Sequence, residues 1–270
     1  MNNSTKVAST AFPLSRTRSL GSVRTFVAHV IKDYRSWGTN ALPWFRGEPG
    51  NVSEPLLPKL YRPRQDGSQH NENQLVQDFR RMAPALGYGS TPDRSEIDQW
   101  LFLMQHVGVP TRLIDWTEGA LIALYFALQF KKPVVWMLNS VALNRLSAPI
   151  AYDDDTYPLT WFRPEGVINI GSENFRAAWE QDRGGTEFPV AVKPTYIHPR
   201  MSAQKSCFTI HGQRKEPLHM LVSHDLLWRY TIRPNSVRQM LRELKILGIT
   251  RSSLFPDLDG LAKEFEERSI

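Results

Sequence analysis

Residues 118–138 constrain this chain more than any other stretch. The first part, 118–130, has helical character, yet it is apolar on almost every side, with Leu121, Ile122, Leu124, Tyr125, Phe126 and Leu128 following closely on one another. A helix without a polar stripe is one that the rest of the protein must surround. Three residues later comes PVVWML (133–138), the strongest strand in the chain. A buried helix running straight into a buried strand requires a sheet core with helices packed on it.

The remaining pattern agrees. Phe26, Val27, Val30, Ile31 and Tyr34 recur at helical spacing over 22–37, with Ser22 as cap and Gly38 as stop. Residues 42–46 read as a short strand. Pro49, Pro55, Pro58 and Pro63 make 48–68 extended or turn. Helices are expected over 72–82 and from 92–93 to 106. The stretch 108–116 reads as a loop, because Gly108 and Pro110 interrupt the helical pattern, and Thr117 as the cap of the apolar helix. Strands follow at 188–192, 207–211 and 227–232, and helices at 173–179, 236–247 and 256–267, with a loop from 153 to about 171. The fold class is α+β (mixed α/β): a helix-rich N-terminal half packed on a small, mostly antiparallel sheet. Residues 1–20 are expected to be a flexible lead-in, and 21–270 a single domain.

No apolar run approaches the roughly 20 residues that span a bilayer, so a soluble cytoplasmic protein without a membrane partner is expected. The Ser/Thr-rich start with scattered basic residues also suits a transit peptide. Cys207 is the only cysteine, which fits a reducing compartment and excludes an internal disulfide. The net charge of +6 leaves two readings open, a polyanionic partner such as nucleic acid or mere solubility.

Several chemistries lack their sequence basis. There is no glycine-rich phosphate loop, C-x-x-C pair, H-E-x-x-H or G-x-S-x-G, and the seven histidines are scattered. No metal site is expected. Three features remain. In Trp44-Phe45-Arg46-Gly47-Glu48 the guanidinium closes an apolar strand, where it can hold a phosphate or carboxylate, and the glycine admits a close neighbour. Pairing of Arg46 with an internal acid such as Asp115 is the plainer alternative. The run from Gln105 to Thr117 crowds His106, Thr111, Arg112 and Asp115 between two helices. They form either a ligand site or a satisfied polar network. His106 can titrate near neutrality as a general base, or bond a backbone carbonyl at its helix end. In the third feature Arg200 and Gln204 lie four apart ahead of a strand, while Cys207 reads as core. Asp257 and Asp259 read as partners of a helix start rather than metal ligands.

Taken together, Phe45-Arg46-Gly47, Gln105-His106-x-Gly108-x-Pro110-Thr111-Arg112-Leu113-x-Asp115-Trp116-Thr117, the helix around Ala123–Ala127, then Arg200, Gln204 and Phe208, and Leu254–Gly260 resemble the FRG domain family. The likeness spans about residues 40 to 265. One departure is Lys205-Ser206, where a small residue such as glycine is expected. The family occurs in bacteria and phages, in settings that suggest toxin or anti-phage defence roles. The layout is also loosely similar to ADP-ribosyltransferases. That resemblance implies NAD as the nucleotide ligand, held by Arg46, with Gln204, Glu187 or Glu216 orienting its ribose. Candidate catalytic residues are then Arg46, His106 and Gln204. Candidate ligand-binding residues are Arg46, Gln105, Thr111, Arg112, Asp115 and Arg200. An NAD-using transferase or hydrolase, a phosphate- or nucleic-acid-binding protein, and a non-catalytic module that binds a protein target all remain open.

Overall fold

The computed structural model describes residues 13–86, 92–93, 95–147, 168–169, 186–196 and 198–268. Its strands are β1 (Thr17–Leu20), β2 (Pro43–Pro49), β3 (Leu113–Thr117), β4 (Pro133–Asn139), β5 (Ile168–Asn169), β6 (Val190–Lys193), β7 (Ser206–Ile210) and β8 (Leu227–Ile232). They form one eight-stranded sheet in the order β1-β8-β4-β2-β3-β7-β6-β5. Interior pairs are antiparallel, and the parallel pairs, β1 with β8 and β5 with β6, lie at the two edges.

The helices are α1 (Val23–Arg35), α2 (Glu72–Met82), α3 (Ile97–His106), α4 (Ala120–Ala127), α5 (Ser140–Ser147), α6 (Pro199–Ala203), α7 (Leu218–Leu221), α8 (Val237–Ile246), α9 (Arg251–Leu254) and α10 (Leu258–Arg268). Ser22 caps α1 as expected, its hydroxyl accepting from the Thr25 amide at 3.2 Å.

Directly opposed residues of an antiparallel pair share a face. Register therefore puts Phe45, Val135, Asp115, Thr117 and Phe208 on one side of the sheet. It puts Arg46, Trp136 and Arg229 on the other. The first side is covered in two separate patches. Helices α1, α4 and α8 bury Phe26, Leu124 and Met240 against β8, β4 and β2. Helices α2 and α3 bury Val76, Phe102 and Met104 against β3, β7 and β6. The opposite side packs under α5, α7 and the chain around Leu56.

The apolar helix is buried as its sequence requires, and Gly47 sets how closely it lies. A Cβ there would sit 2.3 Å from the Ala123 carbonyl oxygen and 2.5 Å from the Ala127 nitrogen, so α4 rests backbone-to-backbone on β2.

Four expectations need correction. Thr17–Leu20, read as part of a flexible lead-in, is the edge strand β1, laddered to β8, and residues 1–12 lie outside the described residues. The supposed loop 108–116 contains β3, a central strand between β2 and β7. Thr117 ends that strand, and Gly119 occupies the cap position of α4. Arg46 lies within β2 rather than at its end. The helix expected over 173–179 and the loop from 153 lie outside the described residues, apart from β5 at the loop's far end.

Candidate functional site

β2 and β3 are neighbours, yet they are laddered at one position only, Phe45 with Thr117. On the far side of that position the strands part. The two helix patches also leave a gap above the same place. A cavity of about 390 Å³ fills the opening. This falls within the size range of sites for small ligands.

Each wall has its own origin. From β2 and α4 come Phe45, Arg46, Gly47, Ala123 and Phe126, with Gln129 and Phe130 just beyond the helix. From α3 and β3 come Gln105, His106, Asp115, Trp116 and Thr117. The segment 200–208 adds Arg200, Gln204 and Phe208, and Phe255 closes the rim. Six of the eight predicted site residues therefore converge: Arg46, Gln105, His106, Asp115, Arg200 and Gln204.

Arg46 bridges the split. Its Nη1 donates to the Asp115 carbonyl at 2.9 Å and stands 3.7 Å from the Asp115 carboxylate, and its Nε donates to Glu48 at 3.4 Å. The Asp115 carboxylate is itself oriented. It accepts from Gln105 Nε2 at 2.7 Å, and the Thr111 hydroxyl donates to Gln105 Oε1, fixing which way the amide faces. Thr111 is fully buried and outside the cavity lining, so it acts through Gln105 and not on a ligand.

Across the cavity, Arg200 Nη2 donates to Asp257 at 2.6 Å, and its guanidinium lies 5.0 Å from the centre of the Phe255 ring. Asp257 also accepts from the Gly260 amide at 2.7 Å, so it is the helix-start partner expected. The Gln204 side-chain Nε2 donates to the Leu254 carbonyl at 3.1 Å, and the Gln204 backbone carbonyl accepts from the Thr117 hydroxyl at 2.7 Å. These bonds tie the segment 200–204 to β3 and to α9.

His106 is pushed down to about 4, first by burial and then by the neighbouring His198 and Arg200. The rings of His106 and His198 lie 4.4 Å apart, and His198 Nδ1 accepts from the Arg200 amide at the start of α6. At neutral pH His106 is therefore an uncharged imidazole, not the near-neutral titrating group expected from its type.

Three other expectations fail on position. Arg112 is buried and points away from the cavity, its Nε on both oxygens of Glu72 at 3.0 and 2.8 Å. Glu187 and Glu216, offered as alternatives to Gln204, both pair with Arg214 at 3.3 and 2.8 Å and do not line the cavity. Cys207 is core, as read, and burial raises its thiol well above the usual range.

Sequence reading missed the aromatic wall of Phe126, Phe130 and Phe255, whose spacing is that of core residues. It also missed Glu48, a buried carboxylate two residues beyond Arg46 on the same face of β2. An acid at that offset from an arginine on a strand was the available signal.

Among the described residues no group of three or more His, Cys, Asp or Glu could hold a metal ion, and no helix is long and apolar enough to cross a membrane. Residues 42–134, which include Arg46, Gln105 and Asp115, match the family model of the FRG domain. Comparison with curated proteins and with solved structures found no match for the chain.

Proposed function

Taking the FRG domain over residues 42–134 as premise, we propose that the cavity binds NAD and breaks its nicotinamide–ribose bond. One observation carries this reading. The split gathers two guanidinium groups, an oriented carboxylate and a phenylalanine wall around a single small-ligand cavity.

Each component has a matching demand. A pyrophosphate needs cationic forks, and Arg46 and Arg200 face the cavity from opposite walls. Flat rings need apolar faces, which Phe126, Phe130 and Phe255 supply. Bond breaking builds positive charge on the ribose, which a preorganised carboxylate stabilises. Asp115, held by Gln105, is the carboxylate in place, and it takes the role first given to Gln204. Gln204 then positions the 200–204 segment. Neutral His106 offers a hydrogen bond to a ligand without adding charge.

The reaction balances without a metal. NAD and water give nicotinamide, ADP-ribose and a proton. With a nucleophilic side chain or base replacing water, the product is an ADP-ribosylated target. Consumption of NAD would suit the toxin or anti-phage effector role that the family resemblance suggests. The competing reading, nucleic-acid binding through the same arginines, rests on net charge. It is the weaker of the two because a cavity of about 390 Å³ suits a small-molecule ligand rather than a strand.

The test is incubation of purified protein with NAD and a cell extract, following nicotinamide by mass spectrometry and ADP-ribose on protein and nucleic acid. Arg46→Ala is expected to lower the rate by about 100-fold. Folded wild-type protein that releases no nicotinamide across pH, with DNA and RNA present, would sink the proposal.

A further inference from the structure

We propose that Glu48 is the positioning residue of the site, clamping the Arg46 guanidinium into the sheet split. The proposal rests on the reading of Arg46 as the anion-binding group. Register aligns Arg46, Trp136 and Arg229 side by side on β2, β4 and β8, and Glu48 lies two residues along β2 on the same face. Glu48 is only 3% exposed. One carboxylate oxygen accepts from Trp136 Nε1 at 2.7 Å, and the other accepts from Arg46 Nε at 3.4 Å.

A buried carboxylate needs compensation, and here it is keyed to a rigid partner. Trp136 is 1% exposed, and His219 stacks on its ring at 6.1 Å. The Arg229 guanidinium lies 5.8 Å from the centre of the same ring. Burial lowers the pKa of both Arg62 and Arg229, and the Glu48 charge opposes the fall in each. Glu48 is thus one acid set among three arginines, and the bond to Trp136 fixes where it stands. With Nε on Glu48 and Nη1 on the Asp115 carbonyl, Arg46 is held from two strands at once.

Positioning and simple electrostatics predict opposite signs. If Glu48 were only a neighbouring negative charge, its removal would strengthen the binding of anions. If it clamps Arg46, removal weakens binding although the site becomes more positive.

The test uses full-length protein, inorganic pyrophosphate as probe, and the Arg46 Nε–H resonance, assigned by its loss in Arg46→Lys. Glu48→Gln keeps an acceptor for Trp136 and is expected to weaken pyrophosphate binding about tenfold, with the Arg46 resonance shifted or broadened. Trp136→Phe leaves the charge but removes the donor, and should move both readouts in the same direction. It carries the test alone if Glu48→Gln fails to fold. Unchanged or tighter pyrophosphate binding with an unmoved Arg46 resonance overturns the proposal. If wild-type protein does not bind pyrophosphate, the resonance decides by the same criterion. Absence of NAD turnover would count against the NAD reading alone, because neither readout depends on it.

Discussion

Two arginines in this chain serve the two halves of the sheet, and they are built differently. Arg112, at the entry to β3, is 7% exposed and forks onto Glu72 of α2 through Nε at 3.0 and 2.8 Å. Behind it His211 donates its amide to the Arg112 carbonyl at 3.2 Å, and Tyr61 packs on the His211 ring at 6.0 Å. Arg46, on β2, keeps 23% of its side chain exposed and meets its acids at 3.4 and 3.7 Å. The first arginine is matched by one counter-ion at close range and serves to fasten a helix to a strand. The second is more exposed and stands farther from its acids, as the proposed anion-binding role requires. Residue type is the same in both cases, and burial and partner distance separate structure from site.

The sharpest break of this comparison is Glu72→Ala. It strands the buried Arg112 charge and is expected to cost about 3–5 kcal/mol in urea denaturation. Anion binding by the molecules that remain folded should change less than twofold. A loss of anion binding as large as the roughly tenfold expected for Glu48→Gln would erase the distinction between the two arginines.

The next test is pH. His211 is fully buried, and burial holds it down to about 4, against an ordinary value of about 6.5. Between those values the unfolded chain binds the proton and the folded chain does not. Stability is therefore complete above about pH 6.5 and falls as pH drops toward 4, by about 3 kcal/mol for this one group. Denaturation midpoints from pH 7 to 4 should show the slope. His211→Gln should reduce it, leaving the part due to His106, held near 4, and to His198 and His219, which burial also lowers. An unaltered slope would remove His211 as the cause.

The smallest effect lies on the site's side. Lys205 sits at φ +47°, in the left-handed region, between the cavity residues Gln204 and Ser206. Lys205→Gly should relieve that strain and, after the entropy that glycine adds to the unfolded chain, stabilise by about 0.5 kcal/mol. A loss of stability would show that the lysine side chain contributes more than its backbone geometry takes away.

Position 205 is also where the sequence departs from a small residue, so the backbone demand was legible there while the solution to it was not. β4, with its continuous apolar run, and β8, whose Trp228, Tyr230 and Ile232 alternate with Arg229 and Thr231, were readable because burial and propensity agree in them. β3 was not, because Asp115 and Thr117 interrupt its apolar alternation, and their roles depend on contacts supplied by Gln105 and Gln204. β1 escaped notice as a polar edge strand with one ladder and no core run of its own. At the site, the arginine, amide and carboxylate were visible as residue types. That Arg112 belongs elsewhere could not be seen, because Glu72 is forty positions away. The phenylalanine wall was hidden because facing a cavity and facing a core look alike in one dimension.

The strand order carries a consequence for how the site comes into being. β2 finds its long ladder only on β4, β4 is completed by β8, and β3 waits for β7. These pairings join segments separated by roughly ninety residues, so loop closure must precede most of the gain from pairing, and assembly is slow. On a ribosome, Arg46 and Asp115 would emerge well before the wall carrying Arg200, Gln204 and Phe255. A growing chain would therefore hold the two sides of the cavity apart until residue 255 had been made.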